Sequence, residues 1–225
     1  MAKKRHSNPA NSMVITWYGQ YCFKIQSGDT TIVTDPFSKE TGLTPPRFKA
    51  DILTLSNHGH ALQKESIPDG HSIIEGPGEY EVKGVLLYGS ETYRDASEGK
   101  ERGLNAVYRI ELEGVSLCHL GDLGEEKLRG ETIEAIGNID ILLLPIGGHG
   151  AIDGKQAKKI IDQIEPRLVI PMGYAIPGLT TKADVLDVFL KEMGIKNPTH
   201  EERLTIKKKE LPETEDTKVV ILKAV

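Results

Sequence analysis

The sequence predicts a mixed α/β protein built in layers. Three observations carry that expectation. The first half is a series of short segments rich in β-branched and aromatic residues, broken by glycines and turn residues. The second half alternates such segments with stretches of helical spacing. Two of its strands, IDILLLPIGG and RLVIPM, are near-continuous apolar runs, the pattern of strands covered on both faces.

The elements follow in order. MVITWYG, YCFKIQS and TTIVTDP read as strands separated by Gly19 and by the Ser27-Gly28-Asp29 turn. Pro45-Pro46 excludes regular structure from KETGLTPPRFKA, and DILTLS then forms the next strand. HSIIEG, EYEVKGVLLYGS, NAVYRIELEG and VSLCHLGD are further strands, with Glu113-Gly114 turning a hairpin between the last two. EEKLRGETIEAIG has helical spacing, with Leu128, Ile133 and Ile136 on one side. GKQAKKIIDQIEP is a helix ended by Pro166, and TKADVLDVFLKEMG is an amphipathic helix with Gly194 past its end. KVVILKAV is expected as an edge or closing strand. Pattern alone gives a layered mixture of sheet and helix and no finer topology.

Composition bounds the function. Hydrophobic residues at 38% and charged residues at 27% are ordinary for a globular protein, and 225 residues suffice for a sizeable core. The net charge of −5 argues against nucleic acid as the main partner. No run of about 18 apolar residues suggests a membrane span. MAKKRHSNPANS has no apolar segment after its basic residues, so it does not read as a secretory signal. The expectation is a disordered tail over 1–12 and a single domain over 13–225, in a cytoplasmic protein. Cys22 and Cys118 each sit in an apolar strand and are expected as buried, reduced thiols.

Polar residues collect after the predicted strands: Asp35-Pro36, His58-Gly59-His60, Gly121-Asp122 and the loop PMGY at 171–174. Strand ends converging on one edge of a sheet are the usual place for a site. In extended backbone His58 and His60 point the same way, and a carboxylate such as Asp122 could complete three protein ligands for zinc or a similar metal. Ordinary loop histidines explain the same spacing, and Asp122 could instead cap a helix beginning near Glu125.

In the order ITWYGQYCFKI, IVTDPF, NHGH, GPGEYEVKGV, RGLNAVYRIELEGVSLCHLGDLG, IDILLLPIGG and VIPMGY, the chain resembles the metallo-β-lactamase-fold superfamily. Within it, the chain is similar to the Zn-dependent hydrolase-like branch that includes ascorbate-6-phosphate lactonase. The resemblance covers roughly residues 13–180. It implies a four-layer αββα sandwich, with the site between the two sheets at one edge. It also implies a site departed from the family pattern. His58 and His60 match the first two places of His-x-His-x-Asp-His, whereas Leu62 and Gln63 stand at the last two. Arg94 falls where a further histidine belongs, Asp122 matches the bridging aspartate, and Gly173 replaces the last histidine. Gln20 stands at an early histidine position, and Asp35 matches the residue that supports the ligand loop.

Leucine and glycine offer no donor and a neutral amide is a poor zinc ligand, so a second metal is not expected. The cofactor expectation is at most one divalent metal at His58, His60 and Asp122 (zinc first, manganese or iron as alternatives), or none. Arg94 puts a permanent cation in the ligand set, so an Arg94–Asp122 ion pair in place of metal is expected. Two functions stay open. One is a hydrolase of lactones, phosphoesters or phosphodiesters with weakened or lost metal dependence, using Asp122 and Arg94. The other is a non-catalytic protein whose old cleft, ringed by Asp35, Gln20, Gln63, Gly173 and His149, binds a sugar phosphate, a nucleotide or a protein partner. His149 could swing toward the cleft on its glycine-rich loop. Lys100 and Arg102 could join Arg94 in lining it, or sit in a solvated loop. Self-association is left open.

Overall fold

The computed structural model describes residues 12–47, 49–57, 71–213 and 217–225. The strands are β1 Met13–Trp17, β2 Phe23–Ser27, β3 Thr30–Thr34, β4 Ile52–Leu55, β5 Ser72–Glu75, β6 Gly78–Val82, β7 Val85–Tyr93, β8 Leu104–Leu112, β9 Val115–His119, β10 Ile141–Pro145, β11 Leu168–Met172, β12 His200–Glu201, β13 Leu204–Ile206, β14 Lys218–Val219 and β15 Ile221–Leu222. The helices are α1 Gly130–Ile136, α2 Gly154–Ile164 and α3 Leu186–Glu192. One sheet has the order β13-β1-β2-β3-β4-β5, another β14-β11-β10-β9-β8-β7-β6, and β12 pairs with β15 separately.

Alternation sets the faces. In β1 and β2 every second side chain is buried, and Ile15, Trp17, Phe23 and Ile25 share one apolar core with Leu87, Tyr108, Ile110 and Leu117 of the second sheet. Both faces of β3 and β4 are used: Ile32 and Ile52 enter that core, while Val33 and Leu53 join Cys22 and Phe37 in a smaller cluster behind it. β10 and β11 are buried at every position, as their apolar runs predict. α2 and α3 supply Ile160, Ile161, Phe189 and Leu190 to the same core. The result is the α/β sandwich of the metallo-β-lactamase fold. The outer face of the first sheet packs on residues between Phe37 and Ala50. Residues 58–70, between the parallel strands β4 and β5, lie outside the described residues, as do 1–11 of the expected tail.

Most elements fall where the sequence puts them, and the departures have causes. The helix expected over 125–137 starts only at Gly130, because the Leu128 amide and carbonyl bond the Gln163 side chain instead of a helical turn. Asp122 therefore caps no helix; the N-cap of α1 is Arg129. The helix expected over 181–194 begins at Leu186, since the Asp184 backbone is bonded on both sides to neighbouring loops, Gly147 and Ala175. KVVILKAV splits into two two-residue strands serving different sheets. β12 and β13 carry too short an alternation to be read from sequence.

Candidate functional site

The site is built on the turn after β9. Gly121 has φ +60°, and a Cβ there would come within 2.4 Å of Ser56 Cβ and 2.5 Å of Asn105 Oδ1. Only glycine lets the chain pass so close to β4 and β8. The Asp122 amide then donates to Asn105 Oδ1 at 3.0 Å, while Asn105 Nδ2 holds Thr92 Oγ1 and the Leu120 carbonyl. This fixes the Asp122 carboxylate inward, with its side chain only 4% exposed.

Three side chains consume that carboxylate. Arg94 Nε donates to Oδ2 at 3.0 Å and its Nη2 lies 2.9 Å away. Arg102 Nη2 donates to the same oxygen at 2.7 Å. The Tyr21 hydroxyl donates to Oδ1 at 2.9 Å. Burial and the Asp122 charge push the Tyr21 phenol well above its ordinary value, so it stays protonated and remains a donor. The two guanidiniums also hold each other's backbone: Arg94 Nη1 donates to the Arg102 carbonyl at 3.1 Å and Arg102 Nη1 to the Arg94 carbonyl at 2.7 Å. One aspartate between two arginines leaves one positive charge unbalanced among these residues.

The loop joining Arg94 to Arg102 is folded around Asp95. Its Oδ1 accepts from the amides of Ser97 and Gly99, and its Oδ2 from those of Glu101 and Arg102. Burial raises the Asp95 pKa, but the four amide donations outweigh it and hold the carboxyl below its usual range. Lys100 points away, exposed and paired with Glu98. Of the cationic cluster considered for the cleft, Arg94 and Arg102 reach it and Lys100 does not.

Tyr21 stands where a side chain at position 173 would project. Gly173 has φ +71°, and a Cβ there would lie 2.7 Å from Tyr21 Cε1. The phenol ring thus fills the space a side chain at position 173 would use. Tyr21 is held in place by its carbonyl, which accepts from Thr34 Oγ1 at 2.8 Å and from His119 Nε2 at 2.9 Å. Because the Gly121 amide donates to His119 Nδ1, the imidazole proton is assigned to Nε2. Gln20 contributes its carbonyl, which accepts from Trp17 Nε1 and the Gly173 amide.

Asp35 is buried below the site and takes both the amide and the hydroxyl of Ser56, at 2.7 and 2.6 Å. It thereby fixes the end of β4, where the histidine segment begins. His58, His60, Leu62 and Gln63 themselves lie outside the described residues. His149 sits on the loop after β10, its Nε2 3.3 Å from Asp184 Oδ1. Tyr21, Asn105 and Asp95 were not visible as site residues in the sequence. A tyrosine in WYGQY carries no sign that its ring occupies the place left by Gly173.

The described residues do not fit a metal at Asp122. Both carboxylate oxygens are committed to strong donors, two cations adjoin them, and Gly173 supplies no ligand. No group of three His, Cys, Asp or Glu suited to a metal occurs among the described residues. Chemically the arrangement offers two fixed guanidiniums at the sheet edge, flanked by the carboxylates of Asp122 and Asp95.

Fold and cleft define a protein of the metallo-β-lactamase class. The β-lactamase superfamily domain matches residues 14–173, and the chain belongs to that superfamily. A metal-dependent hydrolase of Thermococcus onnurineus is 41% identical over 188 residues, covering 71% of this chain and 84% of the relative. Another from Pyrococcus abyssi is 37% identical over 192 residues, with the same coverage of 71% and 84%. Among solved structures, a candidate Zn-dependent hydrolase of the metallo-β-lactamase superfamily from Thermotoga maritima is similar with a TM-score of 0.74 and 33% identity. That likeness covers 94% of this chain and 100% of the other. No helix among the described residues is long and apolar enough to cross a membrane.

Proposed function

We infer that this chain is a member of the metal-dependent hydrolase family that has exchanged metal chemistry for anion binding. The old cleft, on this reading, takes a small anionic ligand such as a sugar phosphate or a nucleotide. The observation that carries it is the capture of Asp122 by Arg94, Arg102 and Tyr21. A carboxylate so engaged is a poor metal ligand, and the two fixed guanidiniums suit an anion. Asp122 and Arg94 then serve to shape a binding cleft, not to activate water on two metals.

A second reading is favoured by the 41% identity to a relative named a metal-dependent hydrolase. It keeps one divalent metal at His58, His60 and Asp122 and a residual hydrolysis of lactones, phosphoesters or phosphodiesters. Metal content of the chain purified without chelator separates the two. Under the first reading it is below about one tenth of an equivalent, and phosphate esters raise the melting temperature with EDTA present. One equivalent of zinc, manganese or iron per chain, lost in His58→Ala, overturns it.

A further inference from the structure

We propose that Arg102 and His149, with Asp184 behind the imidazole, form the seat for the phosphate group of a phosphate monoester at the mouth of this cleft. The inference rests on the anion-binding reading and names the ligand head and the residues that meet it.

Exposure separates the layers of the site. The Asp122 side chain is 4% exposed, so a ligand from solvent does not reach it, whereas Arg102 is 31% and His149 33% exposed. Arg102 and His149 are brought together by Gly150. A Cβ at Gly150 would lie 2.6 Å from Arg102 Nη1 and 2.8 Å from its Cζ, so the guanidinium rests directly on the backbone next to His149. His149 itself has φ +53° between two glycines of positive φ, a conformation that costs a non-glycine residue free energy. The ring is nevertheless flanked by Asp184, whose Oδ1 lies 3.3 Å from Nε2 and whose amide donates to the Gly147 carbonyl. That leaves Nδ1 without a partner among the described residues. Arg102 Nε likewise has no acceptor among them, its Nη1 and Nη2 being bound to the Arg94 carbonyl and Asp122.

The donor set suits a phosphate monoester. A guanidinium edge matches two phosphate oxygens, and an imidazolium, protonated on both nitrogens with Asp184 at Nε2, can donate from Nδ1 to a third. Arg94 and Arg102 balance Asp122 and Asp184, and protonation of His149 adds one positive charge among these five side chains.

Titration calorimetry of the full chain with inorganic phosphate and with glucose 6-phosphate tests the proposal, alongside histidine ring-nitrogen NMR. Both ligands are expected to bind, to shift the His149 Nδ1 resonance, and to bind at least tenfold more weakly to His149→Gln. Asp184→Asn should weaken them less, and thermal unfolding should confirm that both variants remain folded. If phosphate binds the parent and His149→Gln equally, with no shift at His149, the seat is overturned while the anion-binding reading stands. If neither ligand binds the parent at millimolar concentration, both fall.

Discussion

Replacing Asp122 with asparagine removes the charge at the centre of the cluster while keeping its shape. Two charge-assisted bonds, from Arg94 Nε at 3.0 Å and Arg102 Nη2 at 2.7 Å, lose their anion. Such bonds contribute about 1.5–3 kcal/mol each. The arginine side chains are 22% and 31% exposed, so solvent screening places both at the low end. The expected loss is therefore about 3 kcal/mol, with the guanidiniums now facing each other and an amide that is itself a donor. For a chain of 225 residues this corresponds to a melting temperature lower by roughly 6–12 °C. Equilibrium urea unfolding and thermal melts of parent and variant, each with and without EDTA, measure it. A structural metal held at a thousand times its dissociation constant would add about 4 kcal/mol, so chelator should matter if Asp122 were a ligand. A change below about 0.5 kcal/mol on substitution, or a parent destabilised by EDTA, refutes the picture of a charge cluster standing in for metal.

Other outcomes follow from the same geometry. Gly173→His is expected to lower stability without adding bound zinc, because the new side chain meets the Tyr21 ring; a stoichiometric gain of zinc by metal analysis would contradict this. Gly121→Ala should cost about 3 kcal/mol or more in urea unfolding, since a Cβ there overlaps Ser56 and Asn105 in a left-handed turn. Asp95 has a folded pKa below its unfolded value, so its stabilisation is complete above the ordinary carboxylate range and is lost as pH falls through the folded value. Asp95→Asn should flatten the acid side of a stability–pH profile below about pH 4. Burial raises the Cys118 thiol to about 12 and pushes Cys22 well above its usual value. Both should react with Ellman's reagent at neutral pH only after denaturant is added.

The strands were legible because alternation and apolar runs state burial directly: MVITW buries every second residue and ILLLP every one. Helix limits were less so. Leu128 and Asp184 belong to good helical patterns, yet their backbone groups are taken by distant partners, Gln163 and the loops at Gly147 and Ala175. The same division holds at the site. Asp122 and Asp35 could be named from the strand ends they follow, Arg94 only through the family resemblance, and the pairing of Arg94 with Asp122 from their charges. Tyr21 could not, because its role depends on a ring crossing from β1's turn into space left by Gly173 on β11's loop. Asp95 could not either, since a carboxylate collecting four amides of its own loop looks in sequence like any other surface acid.

The pairing of β13 with β1 has a consequence for biosynthesis. Ile206 lies opposite Met13 and Leu204 opposite Ile15, so β1 waits for a strand synthesised much later before this edge is closed. Until then β1 presents unpaired amides and carbonyls on the edge away from β2. Such non-local closure slows folding and lengthens the time during which a nascent chain can join another. For this protein, the passage through synthesis, and not the finished sandwich, is where chaperone assistance would matter most.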